Sequence, residues 1–335
     1  MFGNSKNESQ NDDQKIVIEE LDKAFFEIIE KHSAGNPCNE HDRWTNLTRK
    51  EISKLLHEKN FYIGTGVVKQ LLKKHGFGYR KMRKNQTMKQ AKNRDDQFIN
   101  MRGIINEFGL SPANPIISID NKKKEMFGNF YRDGKVYTKD EIYVYDHDFN
   151  NFSEGSIIPF GIFDVKQNIG YMYIGTSAET SEFICDNIKK WWLNYGIKEY
   201  PNATSILIQC DGGGGNSSRS LLFKRDLEIL ANELNIEIRI CHFPPYTSKY
   251  NPIEHRLFPH VHRSMQGVIL KNMDIVKKLI NRTTTSKGLK VIVEVVDKVY
   301  KKGRKVAKDY KKNMSILFDD YLPRWNYRAV PCAPN

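Results

Sequence analysis

The sequence predicts an α/β fold, a mixed sheet flanked by helices, with a helical region ahead of it at the N-terminus. Three observations lead there. Short apolar, β-branched runs such as PIISID (115–120), SILIQCD (205–211) and IEIRICHF (236–243) have the length and composition of buried strands. Strand-like segments first follow one another and then alternate with amphipathic helical stretches, an order that suits a mixed sheet covered on both faces. Before about residue 95, helical periodicity and basic charge dominate instead.

Residues 1–13 are polar and are expected to form a disordered tail, whereas IVIEELDKAFFEIIEKH (16–32) has the pattern of one amphipathic helix. SAGNPCNEHDRW (33–44) reads as a linker. Thr48 followed by Glu51 starts the next helix as a capping box, Asn60 to Gly64 break it, and Thr65 opens a second. That second helix should turn Val67, Val68, Leu71 and Leu72 inward and Lys69, Lys73 and Lys74 outward. Two short helices about a tight turn, the second basic, suggest a helix-turn-helix over about 47–76 within a helical DNA-binding region spanning 14–95. The trailing basic run YRKMRKNQTMKQAKNR adds a phosphate-contacting arm. Thr65, Lys69, Lys73, Arg80, Lys81, Arg83 and Lys84 are the candidate DNA contacts here, with Lys249 a further one downstream.

PIISID opens the α/β region, expected over 110–270. RDGK (132–135) offers a turn signal between short polar strands, EIYVYDHDF (141–149) has strand-like alternation, and SIIPFGIFDV and IGYMYIGT supply two further strands. TSAETSEFICDNIKKWWLNYG forms a helix with Phe183, Ile184, Ile188, Trp191 and Trp192 inward. SILIQCD, a glycine run, the helix LLFKRDLEILANELN and the strand IEIRICHF follow. Residues 271–335 are expected to be a basic extension of helical and strand-like pieces.

Charge and composition narrow the function. The 335 residues carry 53 Lys or Arg against 40 Asp or Glu, a net charge of +13 that attracts polyanions, nucleic acid being the commonest. Cys38, Cys185, Cys210, Cys241 and Cys332 are scattered without CxxC spacing, which argues against a disulfide framework or a zinc ribbon. No apolar stretch approaches the roughly 18 residues of a membrane span, and no secretion signal opens the chain. A cytoplasmic protein, associated with the nucleoid when bound to DNA, is the expectation.

The chemistry resides in three acids. Asp120 and Asp211 each close a predicted central strand, and Glu254 falls in the first turn of a helix where Asn251 is placed to cap and Pro252 takes the first position. Three carboxylates in one low-dielectric cleft require neutralising cations, and an all-oxygen set suits Mg²⁺ or Mn²⁺. Gly212–Gly215 lacks the P-loop pattern, leaving either a turn that admits DNA or metal close to Asp211 or an ordinary strand-to-helix turn needing positive φ. His242, His255, His260 and His262 lack a regular zinc-ligand spacing and are assigned to the surface or to structure.

Asp120, Asp211 within Asp-Gly-Gly-Gly, and the segment PPYTSKYNPIEHRLF with Glu254 resemble the DDE triad of insertion-sequence transposases, in the ribonuclease H-like, retroviral-integrase superfamily. The resemblance is to the rhodopirellula-type transposase DDE domain family and extends from about Leu47 to Pro331. It implies a ribonuclease H-like sheet, two Mg²⁺ (or Mn²⁺) ions held by Asp120, Asp211 and Glu254, double-stranded DNA as partner at transposon ends and target, and a homo-oligomer on DNA. The N-terminus is short for a full transposase of this type. A decayed or truncated copy acting only as a DNA-binding protein is therefore one alternative, and a ribonuclease H-like nuclease that cuts without joining is the other. Asp164→Asn is expected to leave cleavage within a few-fold of wild type; a loss as deep as that of Asp211→Asn, in a labelled-duplex assay, would mean that the cleft is misassigned.

Overall fold

The structure is a computed structural model that describes residues 5–35, 43–80 and 91–332, with side chains described from Ile16 onward except at 33–35, 43 and 44. It divides into two compact units, 1–86 and 87–335.

The first unit contains α1 (Ser5–Lys31), the short antiparallel strands β1 (Ser33–Gly35) and β2 (Arg43–Thr45), α2 (Arg49–His57) and α3 (Thr65–Lys74). Its core is Phe25, Ile28 and Ile29 of α1 against Ile52 and Leu56 of α2 and Val68 and Leu71 of α3. α2 begins as its sequence dictates. Thr48 Oγ1 accepts from the Glu51 N–H at 3.3 Å, and the Glu51 carboxylate accepts from the Thr48 N–H at 2.6 Å, so two otherwise orphaned donors are satisfied reciprocally. Asn60 takes the left-handed conformation, φ 68°, in the turn before α3. Helix α1 starts at Ser5, inside the stretch expected to be a tail, in a segment free of the helix breakers Gly and Pro. Val67 is exposed rather than inward, because only one stripe of this short helix meets the core.

The second unit begins with α4 (Arg94–Leu110) and continues through β3 (Ile116–Asn121), β4 (Glu125–Phe127), β5 (Gly155–Asp164), β6 (Ile169–Gly175), α5 (Ser181–Trp191), α6 (Ile197–Glu199) and β7 (Ser205–Cys210). It ends with α7 (Leu221–Leu234), β8 (Glu237–His242), α8 (Pro252–Arg256), α9 (Phe258–Ser264), α10 (Met273–Asn281), β9 (Lys290–Val296), α11 (Tyr310–Asn313), β10 (Ile316–Phe318) and β11 (Asn326–Ala329). One mixed sheet runs β10-β11-β8-β7-β3-β5-β6-β9, with β4 paired to the start of β5. β3, β7 and β8 are parallel, β5 runs against β3, β6 against β5, and β9 lies parallel to β6. Alternation along each strand sends Ile117, Ile119, Phe160, Ile162, Ile206 and Ile208 to the face covered by α5 and α7. On the other face Phe163, Met172 and Ile174 pack under α8, α9 and α10, and Leu207 and Cys241 pack under α4. Helices on both faces make this the α/β mixed sheet that the sequence predicts.

Two segments depart from expectation. RDGK and EIYVYDHDF form no strands: 128–149 runs over the surface with Tyr131, Tyr137, Tyr143 and Tyr145 exposed. Alternation makes a strand only where a free sheet edge and a face to bury are available, and here both edges of β5 are already paired. The region 271–335 is not an appended extension, since β9, β10 and β11 are strands of the main sheet.

Gly161 sits opposite Asp120 in the β3–β5 register, and a Cβ there would lie 2.7 Å from Ile253 Cδ1 and 2.7 Å from Phe258 Cε1. The bare backbone lets α8 and α9 lie directly on β5. Gly161→Ala is expected to cost about 1–3 kcal/mol by overpacking, read as a lowered midpoint in denaturant unfolding; an unchanged midpoint would show that α8 yields freely.

Candidate active site

The two aspartates are brought together by strand register. Ile119 of β3 and Cys210 of β7 are partners in a parallel pair, so the residues that follow them, Asp120 and Asp211, stand side by side at the same end of adjacent strands. Ile119 and Cys210 both face α5 and α7, and the pleat therefore turns Asp120 toward the opposite face, where α8 lies.

Glu254 reaches that spot because the loop before it is bolted to β3. Asn251 occupies the N-cap position of α8, yet its side chain makes no cap hydrogen bond. It is fully buried instead: its Nδ2 donates to the Ile119 carbonyl at 3.1 Å, and its Oδ1 accepts from the Ser118 hydroxyl. Ser118 Oγ in turn accepts from the Ile253 N–H at 3.0 Å. The expected capping by Asn251 is thus corrected: a serine from the neighbouring strand caps the helix, which frees the asparagine to span the gap. Pro252, with no N–H to satisfy, fits the first helical position between them.

The electrostatics follow from this crowding. Burial, then the charges of Asp211 and Glu254, push the Asp120 carboxyl up to about 8; a hydrogen bond between Asp120 and Glu254 contributes in the same direction, and the Asn121 N–H opposes at 2.8 Å. Asp211 is oriented from behind. Its Oδ1 accepts from Asn216 Nδ2 at 3.2 Å and from the Gly213 N–H at 3.3 Å, and its carbonyl accepts from Asn216 at 3.1 Å and from His242 Nδ1 at 2.8 Å. Burial pushes the His242 imidazole down to about 4, so it is neutral at pH 7. Its Nδ1 carries the proton given to Asp211, which leaves Nε2 to accept from the Tyr327 hydroxyl at 2.9 Å.

Glu179, in the loop before α5, is a fourth acid at the site. Burial raises its pKa, the Gly215 N–H lowers it, and the Asp211 charge raises it further. Gly214, at φ +59°, passes so close to it that a Cβ would stand 2.5 Å from Glu179 Oε1. The glycine run is accordingly a tight turn with positive φ. Sequence reasoning missed Glu179, Ser118, Asn216 and Tyr327. Ser118 lies inside PIISID and Asn216 closes the glycine run, whereas Glu179 and Tyr327 lie in no motif; the one signal of each is polarity inside or beside segments that otherwise read as core.

The remaining acids are accounted for structurally. Asp164 ends β5 at the opposite end of the sheet from Asp120, buried, accepting from the Lys166 and Gln167 N–H groups and from Tyr200. Asp226 is held by Ser181 and Arg304, and Glu125 by Lys122 and Arg132. Of the candidate DNA contacts, Thr65, Lys69, Lys73 and Arg80 are exposed on the first unit, whereas Lys74 is tied to Asp22 of α1. Lys249 is exposed beside the Tyr250 ring. Lys81, Arg83 and Lys84 lie outside the described residues. Cys185, Cys210, Cys241 and Cys332 are free thiols, and no helix among the described residues is long and apolar enough to cross a membrane.

The donor set of Asp120, Asp211 and Glu254 is all oxygen and partly desolvated, and among the described residues no Lys or Arg pairs with it. That is the chemistry of a hard divalent cation site. Among the described residues these three carboxylates do not form a ready-made cluster at ligand spacing; burial and the charges of Asp211 and Glu254 hold a proton on Asp120, which a cation would displace.

Acids at adjacent strand ends of a mixed sheet, joined by a third from a helix, are an arrangement suited to metal-assisted phosphoryl transfer. The chain belongs to the Rhodopirellula transposase DDE domain family, whose model matches residues 24–331. It is therefore a transposase, a DNA-cleaving enzyme of a family that uses divalent metal. Among solved structures it is similar to the Mos1 transposase paired-end complex with left transposon end, at 14% identity over 77% of this chain and 68% of that one, TM-score 0.43. It is also similar to the Mos1 strand transfer complex, at 12% identity over 77% and 68%, TM-score 0.43. No curated protein matches it.

In the metal-free protein, the raised Asp120 pKa couples stability to pH. The folded state retains a proton that an unfolded aspartate releases near pH 4. This contribution to stability is complete below about pH 4 and is lost as pH rises through about 8. The thermal midpoint without metal is expected to fall across that window, and Asp120→Asn to flatten the fall; parallel curves for wild type and variant would contradict the assignment.

Proposed function

We propose that Asp120, Asp211 and Glu254 are the catalytic and metal-holding residues of this transposase, which cleaves DNA at the ends of an insertion sequence and joins the freed end to target DNA. The observation that carries this reading is the convergence of the three acids, with the Asp120 carboxyl raised by the charges of the other two. Two bound Mg²⁺ or Mn²⁺ ions would supply Lewis-acid polarisation of the phosphoryl oxygens and an activated nucleophile at neutral pH. Asp120, once deprotonated, and Asp211 hold one side of the site, and Glu254 holds the other. In cleavage the nucleophile is water and the leaving group a 3′-oxygen; in joining, the freed 3′-hydroxyl attacks a target phosphodiester in line and expels the target strand's own 3′-oxygen, and no covalent enzyme intermediate is needed.

Each chain residue around the triad has a part in this chemistry. Asn216 and the Gly213 N–H fix one oxygen of Asp211, which leaves the other to face the cleft. The Asn251 and Ser118 contacts hold Glu254 at a set distance from β3. The first unit, through Thr65, Lys69, Lys73, Arg80 and the basic arm with Lys81, Arg83 and Lys84, binds the terminal repeat, mainly through phosphates; Lys249 contacts the backbone beside the cleft. Pairing two element ends requires at least two protomers, a hypothesis that light scattering on the protein–DNA complex would reject by giving one protomer per pair of ends.

The test is cleavage and joining of a labelled duplex carrying the flanking terminal repeat, with and without Mg²⁺. Asp120→Asn, Asp211→Asn and Glu254→Gln are each expected to lower the rate by about a thousand-fold or more, as groups acting as a unit do, with the duplex still bound. Binding without product in the wild type at any divalent metal would leave only the DNA-binding role, and cutting without joining of pre-nicked ends would make it a nuclease.

A further inference from the structure

We propose that residues 297–313, the strap that follows β9, form a second DNA-binding surface, which grips the phosphate backbone of a duplex passing the active-site end of the sheet without reading its sequence. Target DNA, bound with little regard to sequence, is the partner of that chemistry. The inference rests on the transposase reading above.

Topology places the strap. β6 and β9 run parallel to each other, and β6 runs opposite to β5, which runs opposite to β3. β9 therefore ends at the same end of the sheet as Asp120, and the chain leaves it there. The next residues cross the outer surface of α5 and α7 near their starts. The Tyr300 N–H donates to Ser177 Oγ at 2.9 Å, two residues before Glu179.

The strap has little regular structure, yet it is pinned. Lys298 Nζ bonds Glu182 at 2.9 Å and Asp186 at 2.7 Å. The Tyr300 hydroxyl donates to Asp186 at 2.9 Å from a buried ring, and the Tyr310 hydroxyl donates to Glu228 at 2.7 Å. Arg304 grips Asp226 through both terminal nitrogens, at 2.8 and 3.1 Å, and Glu182 at 3.1 Å. These contacts do two things. They order the backbone in advance, which lowers the entropy lost on binding, and they engage four carboxylates on α5 and α7 that would otherwise repel a polyanion.

What remains faces solvent. Lys301, Lys302, Lys305, Lys308, Lys311 and Lys312 are all exposed, and among the described residues none has an ion-pair partner. Asp297 and Asp309 are the two acids among residues 297–313, against these six exposed lysines. Lys298 and Arg304 already fasten the strap, so attachment does not call for these six, and gathering them costs mutual repulsion. Phosphates at regular spacing offset that repulsion and release counterions.

The experiment measures binding of a random-sequence duplex to the full chain by fluorescence anisotropy over a salt series. A variant with Lys301, Lys302, Lys305 and Lys308 all changed to Ala is compared with a control that loses Lys198, Lys277, Lys287 and Lys290, exposed lysines away from the strap. Each phosphate contact contributes about 0.9 to the slope of log K against log salt, so the strap variant should lose about 3–4 from the slope and at least about ten-fold in affinity. The control should lose much less, and the thermal midpoints of both should match wild type, the substituted side chains being exposed. An unchanged slope in the strap variant, or equal losses in strap and control variants, would overturn the proposal while leaving the transposase reading intact. A wild type that binds no duplex at any salt would overturn both.

Discussion

The fastening of the Glu254 helix to the Asp120 strand is the constraint on which the active site depends. Glu254 enters from a segment far along the chain and has no sheet register to place it. The buried Asn251 amide bonded to β3, the Ser118 hydroxyl capping α8 from outside, and the missing Cβ of Gly161 together substitute for register. Each of these groups is buried, so each partner lost would leave an unsatisfied polar atom or a steric conflict, at a cost of about 1–3 kcal/mol apiece. Such a site is rigid by virtue of its surroundings.

Rigidity of this kind serves an electrostatic purpose. A protein could relieve three neighbouring carboxylates by pairing them with lysines or arginines, as it does for Glu125, Glu182 and Asp226 elsewhere in the same unit. At the active site it does not; the relief comes from a proton held high on Asp120. The same crowding that raises the Asp120 carboxyl favours a cation in place of its proton. The contrast between paired acids on α5 and α7 and unpaired acids at the strand ends separates structural charge from chemical charge within one unit.

Much of this was legible in the residues, for physical reasons that differ by element. PIISID up to Ile119 and SILIQC are buried on both faces, and nothing but a central strand accommodates so continuous an apolar run. The capping box at Thr48 is a local interaction and forms wherever the helix does. EIYVYDHDF shows the limit of such reasoning. Its alternation is as regular as that of a strand, yet pairing needs a free edge, and no local pattern reports whether one exists.

The sequence by itself determined the helices α2, α3, α5 and α7, the central strands, and the two aspartates at the ends of β3 and β7, because periodicity and strand length are short-range properties of the chain. Only the tertiary structure decided that Ser118 caps α8, that Asn251 spans to β3 rather than capping, that Glu179 joins the acids, and that residues 271–335 complete the sheet. Those outcomes depend on contacts between segments distant in sequence, where one side chain's partner is set by the packing of whole elements.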